Sequence, residues 1–153
     1  MTVVIQRVKS AAVKAEGELV GQIGKGLLLL LGVFENDSEK DAEVLAAKLS
    51  KLRIFSDENG KMNRSVNDEK GGVLVVSNFT LCANYKHGNR PDYIRAEKPQ
   101  RANMLYEYFS QELRKLIEGG VANGSFGADM EISAVLDGPV TIVMDSRVLT
   151  GEV

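Results

Sequence analysis

The stretch Ser77-Asn78-Phe79-Thr80 follows a run of apolar residues and is the first place where this chain could carry chemistry. The preceding residues, Val73–Val76, are typical of a buried strand. A strand that changes abruptly to hydroxyl and amide side chains brings hydrogen-bonding groups to the rim of a sheet, where ligand pockets commonly form. The same pattern fits a strand end whose hydroxyls only satisfy loose backbone groups, so spacing alone leaves both interpretations open.

A second candidate is Asp137-Gly138-Pro139, which interrupts another apolar stretch. Proline cannot join the hydrogen-bond ladder of a central strand, and glycine admits backbone angles closed to other residues. A bond that precedes proline is also the kind of peptide bond that becomes cis at low cost. The segment therefore predicts a bulge, a sheet edge or a tight connection, with a plain hairpin turn as the alternative.

The third candidate is the polar loop from Lys86 to Arg101, which is basic within an acidic protein. The loop contains two acidic residues, Asp92 and Glu97, and five basic ones: Lys86, Arg90, Arg95, Lys98 and Arg101. Tyrosines at 85 and 93 are interleaved with them, as expected where stacking on bases and contacts with phosphates combine. A solvated surface loop would have the same composition. His87 lies in this loop without a second ligand nearby and is predicted to be a surface residue.

The chain has a single cysteine, Cys82, and a single histidine, His87. One cysteine cannot form a disulfide within the chain or a multi-cysteine zinc site, and one histidine excludes sites that need two imidazoles. Cys82 has no recognisable base beside it and is predicted to be a small packed residue rather than a nucleophile. We expect neither a metal nor another cofactor.

Length and composition narrow the class of protein further. A chain of 153 residues with 44% hydrophobic and 26% charged residues is typical of one globular domain. The most apolar stretch, Leu27–Leu31, is far shorter than the roughly 20 residues that cross a bilayer. The first residues lack the features of a signal peptide, so a cytoplasmic protein with no membrane contact is expected. The net charge of −2 argues against a broadly basic surface.

Strands and two helices must position these candidates. The capping pair Ser38 and Asp41 predicts a helix that runs to about Arg53, and Pro99 predicts the first turn of a second helix that ends before Gly119. Apolar runs predict strands at 3–8, 11–15, 19–23, 26–33, 73–80, 130–136 and 140–144. This order predicts an α+β domain: a curved, mostly antiparallel sheet or barrel with two main helices packed on it.

Taken together, these segments resemble the D-aminoacyl-tRNA deacylase family. The resemblance extends over residues 1–144, and residues 145–153 are expected to form a disordered extension. It rests on these motifs, in this order: Ile5-Gln6-Arg7-Val8, Arg53-Ile54-Phe55-Ser56-Asp57, Gly60-Lys61-Met62-Asn63, Val73-Leu74-Val75-Val76-Ser77, Phe79-Thr80-Leu81, Arg90-Pro91, Phe126, Ala128-Asp129-Met130 and Asp137-Gly138-Pro139-Val140-Thr141.

The resemblance implies a homodimer that hydrolyses the ester between a D-amino acid, or glycine, and the 3′-terminal adenosine of tRNA. Ser77, Phe79 and Thr80 would line the pocket for the adenosine and the ester, and Phe126 would form a wall. Gly138-Pro139 would be a cis element that enters the partner subunit's pocket and rejects L-amino acids. Arg7 would hold this element in place. Lys86, Arg90 and Arg95 of the basic loop would then contact tRNA phosphates.

The chain departs from the family pattern at Asn78, where glutamine is usual. The amide is kept, but its reach is one methylene shorter. Asn78 therefore favours an alternative function, a tRNA-binding or dimerisation module of the same fold without catalysis, whereas Phe79-Thr80 and Gly138-Pro139 favour the enzyme. In the enzyme, Thr80 would either attack the ester or orient water or the ribose 2′-hydroxyl. We favour orientation, because no residue that could activate the threonine is recognisable in the sequence.

Overall fold

A computed structural model describes residues 1–152 and has one main sheet with helices packed on it. The strands are β1 (Thr2–Ala15), β2 (Glu18–Ile23), β3 (Gly26–Gly32), β4 (Phe55–Ser56), β5 (Met62–Arg64), β6 (Gly72–Ser77), β7 (Val121–Asn123) and β8 (Met130–Asp145). The α-helices are α1 (Glu39–Ser50), α2 (Pro99–Leu116) and α3 (Ser146–Thr150), and a single 3₁₀ turn covers Phe79–Cys82.

The main sheet has six strands in the order β2-β1-β3-β6-β7, with β8 paired along the other edge of β1. Strand β1 is antiparallel to β2, β3 and β8, whereas β3–β6 and β6–β7 are parallel pairs. The sheet curls until β2 approaches β7, where a Cβ atom added at Gly21 would lie 2.6 Å from the Asn123 carbonyl oxygen. The predicted α+β fold with a curved, mostly antiparallel, barrel-like sheet is confirmed, and the parallel pairs β3–β6 and β6–β7 make the sheet a mixed one.

Strand β3 explains why the run from Gly26 is continuously apolar. Leu27, Leu29 and Leu31 are buried in the core that α1 and α2 cover, whereas Leu28 and Leu30 pack with a second cluster on the opposite face. Since both faces of the strand are covered, no position in it favours a polar side chain. The prediction of a strand buried on both faces is confirmed.

Both main helices start where the sequence predicts. The Asp41 carboxylate accepts a hydrogen bond from the backbone nitrogen of Ser38 at 2.8 Å, and Pro99 occupies the first position of α2. Helix α1 ends at Ser50 rather than near Arg53. The chain turns away from the helix axis there, and Ile54 and Phe55 are buried in the main core.

Two further predicted boundaries differ. Residues 3–8 and 11–15 form one strand, because β8 pairs with β1 along nearly its whole length and bridges the irregularity between them. Residues 130–136 and 140–144 are likewise one strand, β8, interrupted by a bulge. Strand β6 ends at Ser77, three residues before the predicted end.

The expectation that residues 145–153 are disordered is wrong for residues 145–152, and Val153 lies outside the described residues. Strand β8 ends at Asp145 and α3 follows at once. The Ser146 hydroxyl donates to the Asp41 carboxylate at 2.6 Å and accepts from the Met1 ammonium at 2.7 Å. The same ammonium donates to the Asp37 carboxylate at 2.6 Å. Burial alone would raise the pKa of Asp41, but hydrogen bonds from Ser146 and Ser38 outweigh it and hold the pKa below its usual value. These distant partners anchor the extension, and local composition gives no sign of them.

None of the helices formed within residues 1–152 has the length and apolar character needed to span a membrane.

Strands β3 and β6 approach each other closely at Gly26 and Gly72. A Cβ atom added at Gly26 would lie 1.8 Å from the Gly72 carbonyl oxygen, whereas one added at Gly24 would meet no atom within 4 Å. We expect Gly26→Ala to lower the free energy of unfolding by about 3 kcal/mol, because the atoms it would meet are backbone, which cannot move aside as a side chain can. Gly24→Ala is the matched control and should unfold in urea like the parent chain. Equal midpoints for the two variants would contradict this account of the strand pair.

Candidate active site

The polar stretch after β6 forms a tight, capped turn. The Asn78 backbone nitrogen donates to the Leu31 carbonyl at 2.8 Å, which fixes the start of the turn to the end of β3. The Asn78 side-chain oxygen accepts from the Thr80 nitrogen at 3.2 Å and from the Thr80 hydroxyl. Asn78 is therefore the cap of the 3₁₀ turn as well as a polar group at the rim of the sheet.

A cavity of about 660 Å³ opens beside this turn. Its lining comes from the ends of β3 and β6, the start of α2 and the segment Phe126–Met130. Its residues are Leu31, Val33, Ser77, Asn78, Phe79, Tyr93, Ala96, Glu97, Lys98, Pro99, Ala102, Phe126, Gly127, Ala128, Asp129 and Met130. A pocket of this size that is largely apolar with a few polar groups suits an aromatic base or nucleoside.

Two aromatic pairs shape the cavity. Phe79 is 60% exposed and packs edge to face against Tyr93, with ring centroids 5.0 Å apart. Phe126 packs against the buried ring of Tyr106 at 5.8 Å. The Tyr106 hydroxyl donates to the Val75 carbonyl at 3.0 Å, so the support of the Phe126 wall is tied to β6 itself.

The predicted interruption of β8 is a bulge beside Arg7. Gln6 pairs with Thr141 and Val8 with Leu136, so the four residues from 137 to 140 lie opposite the single residue Arg7. The Gly138–Pro139 peptide bond is cis. The Arg7 Nε donates to the Asp137 carbonyl at 3.0 Å and lies 3.2 Å from its carboxylate. Arg7 therefore ties the base of the bulge to β1.

The structure gathers some of the predicted site residues and separates others. Ser77, Asn78, Phe79 and Phe126 line the cavity, and Thr80 joins them through its bonds to Asn78. Gly138 and Pro139 belong to the bulge and Arg7 lies opposite it in β1, and none of the three lines the cavity of its own chain. Gly138 and Pro139 are exposed to solvent.

The basic loop is held by backbone hydrogen bonds toward its C-terminal end. The Glu35 nitrogen donates to the Arg95 carbonyl at 2.9 Å, and the Glu97 nitrogen donates to the Val33 carbonyl at 3.0 Å. Lys86, Arg90 and Arg95 are all exposed, and the Arg95 guanidinium lies over the Phe34 ring at 5.1 Å. The loop is thus fixed beside the cavity, with its tip turned to solvent.

Sequence reasoning missed several residues of the cavity. Glu97 and Asp129 bring carboxylates to the lining, and Lys98 brings a cation. The backbone N–H of Lys98 donates to Glu97 at 2.8 Å, and chiefly for this reason the pKa of Glu97 lies below its usual value. The sequence signal for Asp129 was Gly127 two residues before it, since glycine favours turns, and in the structure Gly127 has a positive φ of 76°. Within residues 1–152, no three His, Cys, Asp or Glu side chains are grouped so as to hold a metal ion.

Comparison with known proteins identifies the family of this chain. A protein-family model described as D-Tyr-tRNA(Tyr) deacylase matches residues 4–145. A D-aminoacyl-tRNA deacylase of Akkermansia muciniphila is 56% identical over 147 residues, which cover 96% of this chain and 98% of that protein. A relative of the same name from Bacillus cytotoxicus is 50% identical over 148 residues, covering 96% of this chain and all of that protein. The chain belongs to the D-aminoacyl-tRNA deacylase family. It is therefore a hydrolase.

Solved structures share the deacylase fold. One, described as c-Myc DNA Unwinding Element Binding Protein, is 39% identical, covers 95% of this chain and 98% of its own, and has a TM-score of 0.89. Another, described as a probable eukaryotic D-amino acid tRNA deacylase, is 16% identical with a TM-score of 0.80 and covers 95% of this chain. At that identity the second structure supports the fold alone.

Cys82 lies near the turn but is placed as a packed residue of this deacylase. Its side chain is fully buried, and its sulfur donates to the Val33 carbonyl at 3.4 Å. Burial, together with the nearby Asp37 carboxylate, raises the pKa of the thiol to about 11. The prediction of a small packed residue is confirmed by this burial.

A thiol in this state should be inert at neutral pH. We expect Cys82 of the folded protein to remain unmodified by iodoacetamide at pH 7.5 and to react at once in urea, because the reactive species is the thiolate. Intact-protein mass spectrometry measures the adduct. Cys82→Ala should keep the family activity. Rapid labelling of the folded protein, with loss of activity in step, would instead assign the thiol a part in catalysis.

Proposed function

We propose that this chain hydrolyses the ester of D-aminoacyl-tRNA, which releases the free D-amino acid and tRNA. The observation that carries the proposal is the capped Asn78–Thr80 turn at the rim of a nucleoside-sized cavity, in a chain of the deacylase family. In this reaction the oxygen of water bonds to the ester carbonyl carbon, and the bond to the ribose oxygen breaks. The proton lost by water ends on that ribose oxygen.

The turn offers the hydrogen-bond donors that such a reaction needs. Phe79 is the first residue of the 3₁₀ turn, so no bond within the turn uses its N–H group. The side-chain oxygen of Asn78 already accepts two hydrogen bonds from Thr80. The side-chain nitrogen of Asn78 has no hydrogen bond to the residues that the structure describes. These two groups can donate to the oxyanion that forms on the ester carbonyl. The Thr80 nitrogen is already used by Asn78.

Thr80 acts in this proposal by orientation. Its hydroxyl donates to the Asn78 amide oxygen, which is not a base and cannot take the proton permanently. The oxygen of Thr80 keeps its lone pairs and can accept a hydrogen bond from water or from the ribose 2′-hydroxyl. An ester beside a ribose hydroxyl is already labile, so positioning and oxyanion stabilisation supply the catalysis without a metal or a covalent intermediate.

The cavity takes the terminal adenosine, with Phe79 and Phe126 as apolar walls and Ser77 as a polar contact at the sheet rim. The loop tip carrying Lys86 and Arg90 then meets phosphates of the same tRNA, together with Arg95. Exposed cations beside a base-binding cavity are the usual arrangement for single-stranded nucleic acid ends. The protein would act in the cytoplasm, on the charged tRNA pool.

Chiral selection comes from the bulge of a second copy of the chain. Gly138 and Pro139 are exposed, and Arg7 fixes the residue before them, so the bulge presents rigid backbone rather than a mobile side chain. Placed in the partner's cavity, this backbone would leave no room for an L side chain, whereas a D side chain or glycine would fit. Exposed apolar residues along β8 support a dimer: Ile132, Val135, Leu136 and Val143.

The direct test is release of D-tyrosine from D-tyrosyl-tRNA by the purified protein, with L-tyrosyl-tRNA as the matched control. We expect release in proportion to protein for the D ester, also in excess EDTA, and none above buffer for the L ester. Glycine released from glycyl-tRNA(Ala) would extend the function to the achiral ester. Binding of both tRNAs without release from either would contradict the proposal and favour a non-catalytic tRNA-binding or dimerisation module.

Thr80→Ala separates orientation from nucleophilic attack. Loss of an orienting hydrogen bond costs about 1–3 kcal/mol, so we expect single-turnover rates to fall roughly 5- to 150-fold. Thr80→Ser should restore most of the rate, because it keeps the hydroxyl. Circular dichroism controls for folding. Complete loss in the alanine variant, with a tyrosyl adduct on the parent protein after rapid acid quench, would establish covalent catalysis instead.

A further inference from the structure

The C-terminal end of α1 carries a cationic hollow that no function above uses. It has a volume of about 270 Å³ and is lined by Ala47, Lys48, Lys51, Leu52 and Arg53. Three of these five residues are cations, all exposed, and none of the five is acidic. Among residues 1–152, none of the three cations forms an ion pair.

These cations are not needed to cap the helix. The Ala47 carbonyl accepts from the Ser50 hydroxyl at 3.0 Å, and the Lys48 carbonyl accepts from the Lys51 backbone nitrogen at 3.2 Å. The Leu49 carbonyl accepts from the Leu52 nitrogen at 3.1 Å. The last carbonyls are satisfied by nearby groups, and neither ammonium group has a partner among residues 1–152. Lys48 and Lys51 also lie on one helix face, where like charges repel.

The hollow has a fixed place relative to the bulge. Arg7 donates through Nη1 to the Ile54 carbonyl at 2.7 Å and through Nε to the Asp137 carbonyl at 3.0 Å. Ile54 follows Arg53 directly in the chain and is buried. The nearly buried guanidinium of Arg7 thus connects the chain just after Arg53 with the segment that carries Gly138 and Pro139.

We propose that this hollow, Lys48, Lys51 and Arg53, binds backbone phosphates of the tRNA acceptor arm whose terminal adenosine is in the partner subunit's cavity. This inference rests on the proposed function, because the bulge must enter the partner's site for the hollow to lie beside it. Lysines serve as point charges for phosphate, and an arginine adds a planar pair of donors. A phosphodiester supplies the negative charge that the lining lacks, in a chain whose net charge of −2 disfavours general attraction of RNA.

The first experiment removes the charge of the hollow without touching the cavity. We expect Lys48→Gln with Lys51→Gln to weaken tRNA binding about 5- to 30-fold at moderate salt. The slope of log affinity against log salt should fall by about 0.7–0.9 for each phosphate that the protein no longer neutralises. Lys70→Gln with Lys115→Gln removes the same charge from residues that do not line the hollow, and should change affinity less than twofold. Arg90→Gln with Arg95→Gln gives the comparison for the basic loop.

A minimal substrate separates this inference from the proposed function. D-Tyrosyl-adenosine has the ester but no acceptor stem, so the hollow variant should hydrolyse it at the parent rate while losing efficiency on D-tyrosyl-tRNA. If the parent protein hydrolyses neither substrate, the proposed function fails. If the parent is active and the hollow variant matches the lysine control on tRNA, the hollow does not bind phosphate and the inference is overturned.

Heterodimers decide which subunit's hollow serves a given cavity. When one subunit carries Thr80→Ala, only the other subunit's cavity is fully active. We expect the Lys48 and Lys51 changes to lower activity on tRNA when they are in the Thr80→Ala subunit, and to have no effect when they are in the active subunit. Two different affinity tags allow each heterodimer to be isolated. The reverse pattern would overturn the placement across the dimer.

Discussion

The arrangement of this site depends on one guanidinium, that of Arg7. Its residue is 9% exposed. Burying a charge is costly, so the groups around the guanidinium must replace the water that it loses. The Asp137 carboxylate, two backbone carbonyls and the Phe55 ring at 6.0 Å provide that compensation. Since the carbonyls belong to Ile54 and Asp137, the arginine couples three segments that are far apart in the chain. The bulge, the end of the α1 connection and β1 therefore hold their positions together.

The bulge exists because β8 cannot pair regularly with β1 at this point. Pro139 has no N–H to donate, so the ladder must open where it lies. Four residues of β8 fit opposite one of β1, and after a second shift between Val8 and Ser10 regular pairing resumes at Ser10 and Val135. Water can pair with the exposed backbone of Gly138 and Pro139, whereas the part-buried Asp137 carbonyl needs a partner within the protein. Arg7 supplies donors at that place, which links an irregularity of the strand to a defined position of exposed backbone.

The sequence was informative where the determining interactions are local. The continuous leucines of β3, the capping pair at Ser38 and the proline at the start of α2 each predicted an element that is present. For the site, the change from valines to Ser77-Asn78 indicated the rim of a sheet, and the polar turn lies there. Local patterns left the Asp137-Gly138-Pro139 segment open between a bulge and a hairpin. The choice depends on β1 continuing alongside β8, which is a pairing between residues more than a hundred positions apart.

Other features escaped prediction for the same reason. The helix after Asp145 depends on Ser146 meeting Asp41 and the Met1 ammonium, and no short window contains these partners. The carboxylates at Glu97 and Asp129 reach the cavity only because the loop is pinned to β3 and the segment after β7 folds over the same strand end. Asn78 is the instructive case. Its residue type suggested a catalytic amide with a shorter reach. In the structure the side-chain oxygen of Asn78 caps Thr80, and its side-chain nitrogen has no hydrogen bond to the residues that the structure describes.

Asn78 therefore has a structural role in the turn in addition to the chemical role proposed for its amide. A longer amide at this position could reach past the turn, but its oxygen would be less well placed to cap a nitrogen only two residues away. The shorter side chain keeps the turn closed and orients Thr80, while the amide nitrogen remains on the side of the rim. In the proposed function, the asparagine of this chain therefore holds the turn with its side-chain oxygen and offers its side-chain nitrogen to the oxyanion.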